Sequence, residues 1–200
     1  VMGCTTLGQG FSAAAADATT SEEEVEINFA KALQMSLYFY DANKCGSGIT
    51  GGNLEWRGDC HTEDAAVPLK PMGEDYKGTN LSQKFIDAHR DILDPDGDGT
   101  IDVAGGMHDA GDHVKFCLPG SYAASTLGWG YYEFRDAYVD SGQQWHIEDI
   151  LHWFNDYYLK CTYFDENGDI LAFCYQVGEG NIDHNYWNAP ELQNESLLDF

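Results

Sequence analysis

Apolar residues recur at helical spacing in four stretches of the chain, and the intervals between them carry glycine, proline and acid. Val25, Phe29, Ala30, Leu33, Leu37 and Tyr38 draw one apolar stripe along a helix that runs to Asn43. Its start is expected near Ser21, because Ser21 and Glu24 have capping-box spacing and acids fill the first turn, where the helix dipole favours them. Phe85, Ile86, His89 and Leu93 mark one face of a short helix over 81–93, with Ser82 as its cap. Pro119 can open a third helix, whose buried face reads as Tyr122, Ala123, Thr126, Leu127, Tyr131 and Phe134; Asp140-Ser141-Gly142 breaks it. The clearest stripe is Ile147, Ile150, Leu151, Phe154, Tyr158 and Cys161. Residues 45–77 are dense in glycine, charge and turn formers, and predict a long loop without regular structure; such loops are usually functional or held by something. Residues 165–169 read as a turn, 170–177 as a short strand or extended segment, and 178–191 as polar, aromatic and irregular. The chain therefore predicts an all-α fold, with its chemistry on long loops at one end of a helical array.

Composition narrows the class. An aromatic content of 14% sets the chain apart from disordered sequences, so it buries a core. The 34 acids against 10 bases give a formal net charge of −24, which repels nucleic acid and anionic lipid and leaves neutral substrates and metal cations as partners. No membrane-spanning run is present. Phe11-Ser12-Ala13-Ala14-Ala15-Ala16-Asp17 reads as the cleavage region of a secretory signal, making 1–16 a signal remnant, 17–24 an acidic linker and 25–200 the folded part of a secreted protein. Val1-Met2-Gly3-Cys4 also has the look of a lipoprotein site, and the cleaved signal is the preferred reading.

Three groups of residues carry candidate chemistry. Gly105-Gly106-Met107-His108-Asp109-Ala110-Gly111-Asp112-His113 places two carboxylates three positions apart in a turn of small residues. Such a pair can hold one water between them, as a general base for hydrolysis requires, or be an acidic surface turn. Asp94, Asp96, Asp98, Thr100 and Asp102 alternate as in the first part of an EF-hand calcium loop, with Gly99 and Ile101 at the matching positions. The residue that should close that loop with a carboxylate is Gly105, so the stretch is either an incomplete calcium site or an acidic turn. Cys45, Cys60, His61 and His108 make two thiols and two imidazoles, a set suited to tetrahedral zinc; a Cys45–Cys60 disulfide is the alternative. Cys117, Cys161 and Cys174 read as small core residues, and His89, His113, His146 and His152 have no assigned task.

Asp109-Ala110-Gly111-Asp112-His113-Val114-Lys115-Phe116, preceded by Gly105-Gly106, resembles the catalytic signature of family 9 glycoside hydrolases, the cellulase family with an (α/α)6 barrel. So do Leu118-Pro119, Leu127-Gly128-Trp129 with Glu133-Phe134, Trp56-Arg57-Gly58-Asp59, Gln176-Val177-Gly178-Glu179-Gly180, Asp183-His184-Asn185-Tyr186-Trp187 and Pro190-Glu191, in the right order over about 26–195. The resemblance implies an endo-β-1,4-glucanase that acts on cellulose or a related glucan and inverts the anomeric carbon. Asp112 is then the general base, Asp109 its partner on the same water, and His184 and Trp187 sugar-binding residues. The family's general acid is a Glu far towards the C-terminus; neither Glu191 nor Glu195 matches it. A subgroup of the family holds a structural zinc on a Cys, a Cys-His pair and the His before the first catalytic Asp, which Cys45, Cys60, His61 and His108 match. The run from His113 to Phe116 looks more like the members without zinc.

On this reading the chain is the N-terminal part of a catalytic domain, an incomplete barrel without its acid. The 200 residues alone are expected to be inactive and poorly stable. A binding module or dockerin further along is compatible with the family. The rival readings are a secreted calcium-dependent carbohydrate-binding module, for which the 94–102 loop speaks, and a helical-barrel glycosidase acting on xylan or chitosan.

Overall fold

The computed structural model describes residues 27–193. The Ser21 and Glu24 capping box, Val25, the signal remnant, the acidic linker and Glu195 lie outside the described residues. Helix α1 spans Phe29–Asn43 and is capped by Asn28, whose side chain accepts from the Lys31 N–H at 2.9 Å. The expected 81–93 helix is two pieces, α2 (Gln83–Ala88) and α3 (Arg90–Leu93), because His89 between them leaves helical geometry at φ −132° and ψ 23°. Ser82 caps α2 as expected, accepting from the Phe85 N–H at 3.2 Å.

Helix α4 (Cys117–Glu133) begins two residues before Pro119. Pro119 fits in its first turn, where backbone N–H groups have no helical partner to lose. Helix α5 (Arg135–Asp140) follows a break at Phe134, and α6 (Gln144–Lys160) carries the central stripe. Leu37, Tyr138, Ile147, Ile150 and Phe154 form the main core, with Ala123, Ala124, Leu127, Tyr131 and Leu151 packed against it. Burying each large apolar side chain there contributes about 1.5–3 kcal/mol. Tyr122, Thr126 and Phe134, expected on the buried face of α4, are exposed instead. The helix packs on the core through Ala123, Ala124, Leu127 and Tyr131, while Leu118, Tyr122, Trp129 and Tyr132 face outward.

Among the described residues, six short strands stitch the loops together. β1 (Val67–Pro68) pairs with β2 (Thr100–Ile101), β3 (Lys115–Phe116) with β6 (Gln176–Val177), and β4 (Thr162–Phe164) with β5 (Ile170–Phe173), all antiparallel. The β4–β5 hairpin turns at Asp165, whose Oδ1 accepts from the N–H groups of Asn167 and Asp169. The long loop after α1 is less irregular than expected: it contains a 3-10 turn at Thr62–Ala66 and strand β1. No helix among the described residues is long and apolar enough to cross a membrane.

Candidate active site

The turn with the two aspartates hangs from the end of α1. Cys45 N–H donates to the Gly106 carbonyl and His108 N–H to that of Asn43, both at 2.9 Å. Trp153 Nε1–H donates to the same Gly106 carbonyl at 2.8 Å. Gly106 has φ +74°, and a Cβ there would lie 2.7 Å from the Tyr157 ring, so only glycine fits. The Asp109 N–H donates to the Val114 carbonyl at 2.9 Å and closes the turn. Behind it Lys115, 2% exposed, donates to the carbonyls of Val103 and Gly105 and pairs with Asp64 at 2.8 Å.

Strand pairing brings in the second half. In register, Lys115 faces Val177 and Phe116 faces Gln176, so β6 delivers the following residues beside the aspartates. Asp183 is buried and accepts from Glu179 N–H at 2.6 Å. His184, in the short 3-10 turn Asp183–Asn185, bonds through Nδ1 to Asp112 Oδ2 at 2.8 Å. Asp112 is 1% exposed, whereas Asp109 lies open to solvent. Burial, then the charge of Asp112, pushes the Asp109 carboxyl above its ordinary range, and His184 partly opposes that rise. The exposed Trp187 indole lies across Gly111, between the aspartates: a Cβ on Gly111 would stand 2.8 Å from Trp187 Cζ3. The His184 and Trp187 rings are 6.3 Å apart at 69°. All four residues expected from the sequence, Asp109, Asp112, His184 and Trp187, thus share one locus. A buried carboxylate, a second one at the surface and a flat apolar ring can together accept a proton from water beside a pyranose.

A second cluster sits immediately behind. The donor atoms of Cys45, Cys60, His61 and His108 all lie within 4.8 Å of one another. Both cysteines are free thiols, and His61 Nδ1 and His108 Nε2 are buried with no hydrogen-bond partner among the described residues. The adjoining Cys45 thiol, then the His108 and His61 rings, outweigh burial and draw the Cys60 thiol down, while burial drives Cys45 up. His113, left without a task by the sequence, bridges the two clusters. Its ring lies 4.9 Å from that of His108 and 5.2 Å from that of Tyr186, and its Nε2–H donates to the Asn188 carbonyl at 3.1 Å.

Several other residues hold the site in pairings that nothing in the sequence announces. Buried Arg57 donates to the carbonyls of Ala42 and Lys44 and pairs with Glu191 at 2.6 Å. Glu191 also accepts from the Gly58 N–H, so its carboxylate ties the end of the described chain to the loop after α1. Gln193 contacts His61, His113 and Asp183 together. Of the five calcium-loop residues, Asp94, Asp96 and Asp98 come together. Asp102 does not: Lys160 takes it at 3.0 Å. Thr100 turns its hydroxyl onto Asp98 at 2.7 Å.

The family model for glycosyl hydrolase family 9 matches residues 29–198. The chain belongs to this family. It is 32% identical to Endoglucanase A of Bacillus pumilus, over 88% of this chain and 21% of that protein. It is 29% identical to Endoglucanase 14 of Oryza sativa subsp. japonica, over 82% of this chain and 31% of that one. Among solved structures, the catalytic domain of Clostridium thermocellum CelT superposes with a TM-score of 0.78 at 56% identity, over 84% of this chain and 33% of that one. Cellulase Cel9M of C. cellulolyticum in complex with cellobiose superposes at 0.58 with 37% identity, over 84% and 31%. The chain thus spans about a fifth of the first of these relatives and under a third of the second. The helices of this family 9 chain form an incomplete (α/α)6 barrel.

Proposed function

We propose that this chain supplies the water-activating half of an inverting β-1,4-glucanase site, acting on cellulose or a related glucan. Asp112 carries the reading: a carboxylate 1% exposed, held by His184 at 2.8 Å, close in sequence to a second carboxylate and beside the indole of Trp187. Asp112 takes a proton from a water that Asp109 also holds. The water oxygen bonds to the anomeric carbon as the bond to the leaving sugar oxygen breaks, and that oxygen needs a proton from an acid about 6.5–9.5 Å from the base. Glu191 is given no such role, because Arg57 and Gly58 already occupy it. Relatives called endoglucanases, and a family member solved with cellobiose, support a glucan substrate.

In the full-length protein, Asp112→Asn should lower kcat on cello-oligosaccharides about 10²–10⁴-fold with little change in KM. Asp109→Asn should cost less. The exposure and raised carboxyl of Asp109 favour a second reading, in which it takes the proton; that reading wins if the two losses are reversed. Retention of most activity by both variants would sink either one. Extracellular location goes with an insoluble polymer as substrate, and recovery of the processed protein from culture medium tests it.

The cluster behind the turn is read as a structural zinc site. Two thiols and two imidazoles are a fitting donor set, and the unpartnered His61 Nδ1 and His108 Nε2 are what such a site presents. Cys45, Cys60, His61 and His108 would hold the ion, which supplies a cross-link and takes no part in the chemistry. Metal analysis of the full-length protein with Cys60→Ser as control decides it: one zinc lost in the variant supports the site, and none in either sample ends the reading.

A further inference from the structure

The base of the β4–β5 hairpin sets two cysteines face to face. Tyr163 pairs with Ala172 and Thr162 with Phe173, and one step further back Cys161 stands opposite Cys174, whose N–H donates to the Cys161 carbonyl at 2.9 Å. Opposite residues in an antiparallel pair have Cα atoms about 4.5–5.5 Å apart and side chains on the same face. A disulfide spans about 4.4–6.8 Å between Cα atoms, so the spacing suits one. Both residues are free thiols. Cys161 is fully buried in a cluster with Val103, Cys117 and Tyr157. Cys174 is half-buried and lines an open cavity of about 710 Å³ together with Leu69, Met72 and Tyr76. The adjoining Cys161 thiol draws Cys174 below its ordinary value, and Cys174 in turn raises Cys161. A reachable sulfur with thiolate character beside a buried thiol is the arrangement of an attacking and a resolving cysteine. The third thiol nearby, Cys117, is turned onto the backbone, where its Sγ–H donates to the Cys174 carbonyl at 3.3 Å.

We propose that Cys161 and Cys174 form a reversible disulfide by exchange with a low-molecular-weight disulfide that enters through this cavity. Cys174 gives its proton to water, and its thiolate attacks one sulfur of the reagent. The reagent's S–S bond breaks, one thiolate leaves, and a mixed disulfide remains on Cys174. Cys161 passes its proton to the released thiolate and attacks the Cys174 sulfur. The mixed disulfide breaks, and the second thiolate leaves and takes up a proton from water. Two protein thiols are oxidised to one disulfide, and the reagent is reduced to two thiols. The bond joins the end of α6, where Cys161 is the C-cap, to the residue two positions before β6. Strand β6 pairs with β3 and leads on to Asp183 and His184. Oxidation therefore staples the strand that carries His184 to the central helix, and reduction leaves hydrogen bonds and packing alone to hold it. The pair shares no residue with the Asp109–Asp112 turn, so the inference does not depend on the hydrolase reading.

The test equilibrates the full-length protein with mixtures of oxidised and reduced glutathione, quenches in acid, then unfolds, alkylates and maps the peptides by mass spectrometry. A protease that cuts after acidic residues separates the two cysteines, because Asp165, Glu166 and Asp169 lie between them. In excess oxidised glutathione the Cys161 and Cys174 peptides should be recovered as one linked pair that reductant splits. In excess reduced glutathione both should be alkylated. The oxidised protein should unfold about 2–5 °C above the reduced one, because the cross-link constrains the unfolded chain, and Cys174→Ser should abolish that gap. Two cysteines that stay open to alkylation, a linked pair that joins Cys174 to Cys117, or glutathione retained on Cys174 with Cys161 free overturns the proposal. A gap that survives in Cys174→Ser, or equal unfolding temperatures for the two wild-type forms, overturns the staple. The mapping is read on the wild type, so it decides the bond even if the variant fails to fold.

Discussion

At the site end of the molecule the chain buries polar groups against partners; along the helices it leaves large rings in the open. Arg57, Asp112, Lys115 and Asp183 are all at most 7% exposed, and each is hydrogen-bonded within the same few loops. Leu118, Tyr132, Phe29 and Trp129 are 84%, 83%, 74% and 69% exposed on α4 and α1. The loops are self-sufficient because hydrogen bonds and ion pairs close locally. The helices are not, because an apolar stripe is satisfied only by another helix. This is the expected condition of a chain that covers a third of the CelT catalytic domain it resembles.

The comparison can be broken from either side. The largest effect should come from the loops: on the proposed zinc site, Cys60→Ser in the full-length protein should lower stability by at least about 3 kcal/mol in denaturant unfolding. Nearly as large, Trp129→Ala should cost about 3 kcal/mol in the full-length protein, where another helix covers that face, and under about 0.5 kcal/mol in the 200-residue chain alone. Equal small effects in both would show that the flank is a true surface.

Two smaller effects depend on pH. Burial alone would raise the Asp41 carboxyl, but hydrogen bonds from His146 and Asn53 and the Lys44 ammonium hold it below its ordinary value. A depressed folded value gives stability that is present above the unfolded value, about 3.9, and fades as pH falls through the folded one. Asp41→Asn should therefore weaken the protein near neutrality, with the deficit shrinking below about pH 4. Asp109 has the opposite sign. Its raised folded value favours the protonated form, so stability is lost as pH rises through it. Asp109→Asn should stabilise slightly at neutral pH, by less than about 1 kcal/mol given its exposure, and the gain should vanish in acid. A thermal-unfolding series across pH checks both.

Legibility in the sequence followed the same divide. Ile147, Ile150 and Phe154 were readable because a period of 3.6 residues needs no distant partner. Helix α4 was misread at Tyr122 because it carries large apolar residues on several faces, so periodicity could not choose the buried one. Strand β4 was missed because three residues that directly follow a helix give too short a pattern to separate from its last turn. The aspartates stood out by their spacing, and His184 and Trp187 by resemblance; no local pattern joins Asp112 to a histidine 72 positions away. The two thiols and two imidazoles of the second cluster stood out by residue type. Arg57 and Glu191 did not, since a lone arginine and a lone glutamate, 134 positions apart, announce no pairing.

Gln193 carries one more consequence. Its amide nitrogen donates to Asp183, so its oxygen is turned towards His61 Nε2 at 3.1 Å. An amide oxygen can only accept, so the neutral His61 ring must keep its proton on Nε2 and leave a lone pair on Nδ1. That lone pair is the one buried among the thiols without a partner. The tautomer of a ring behind the Asp109–Asp112 turn is therefore written by a carboxylate next to His184, through a single side-chain amide.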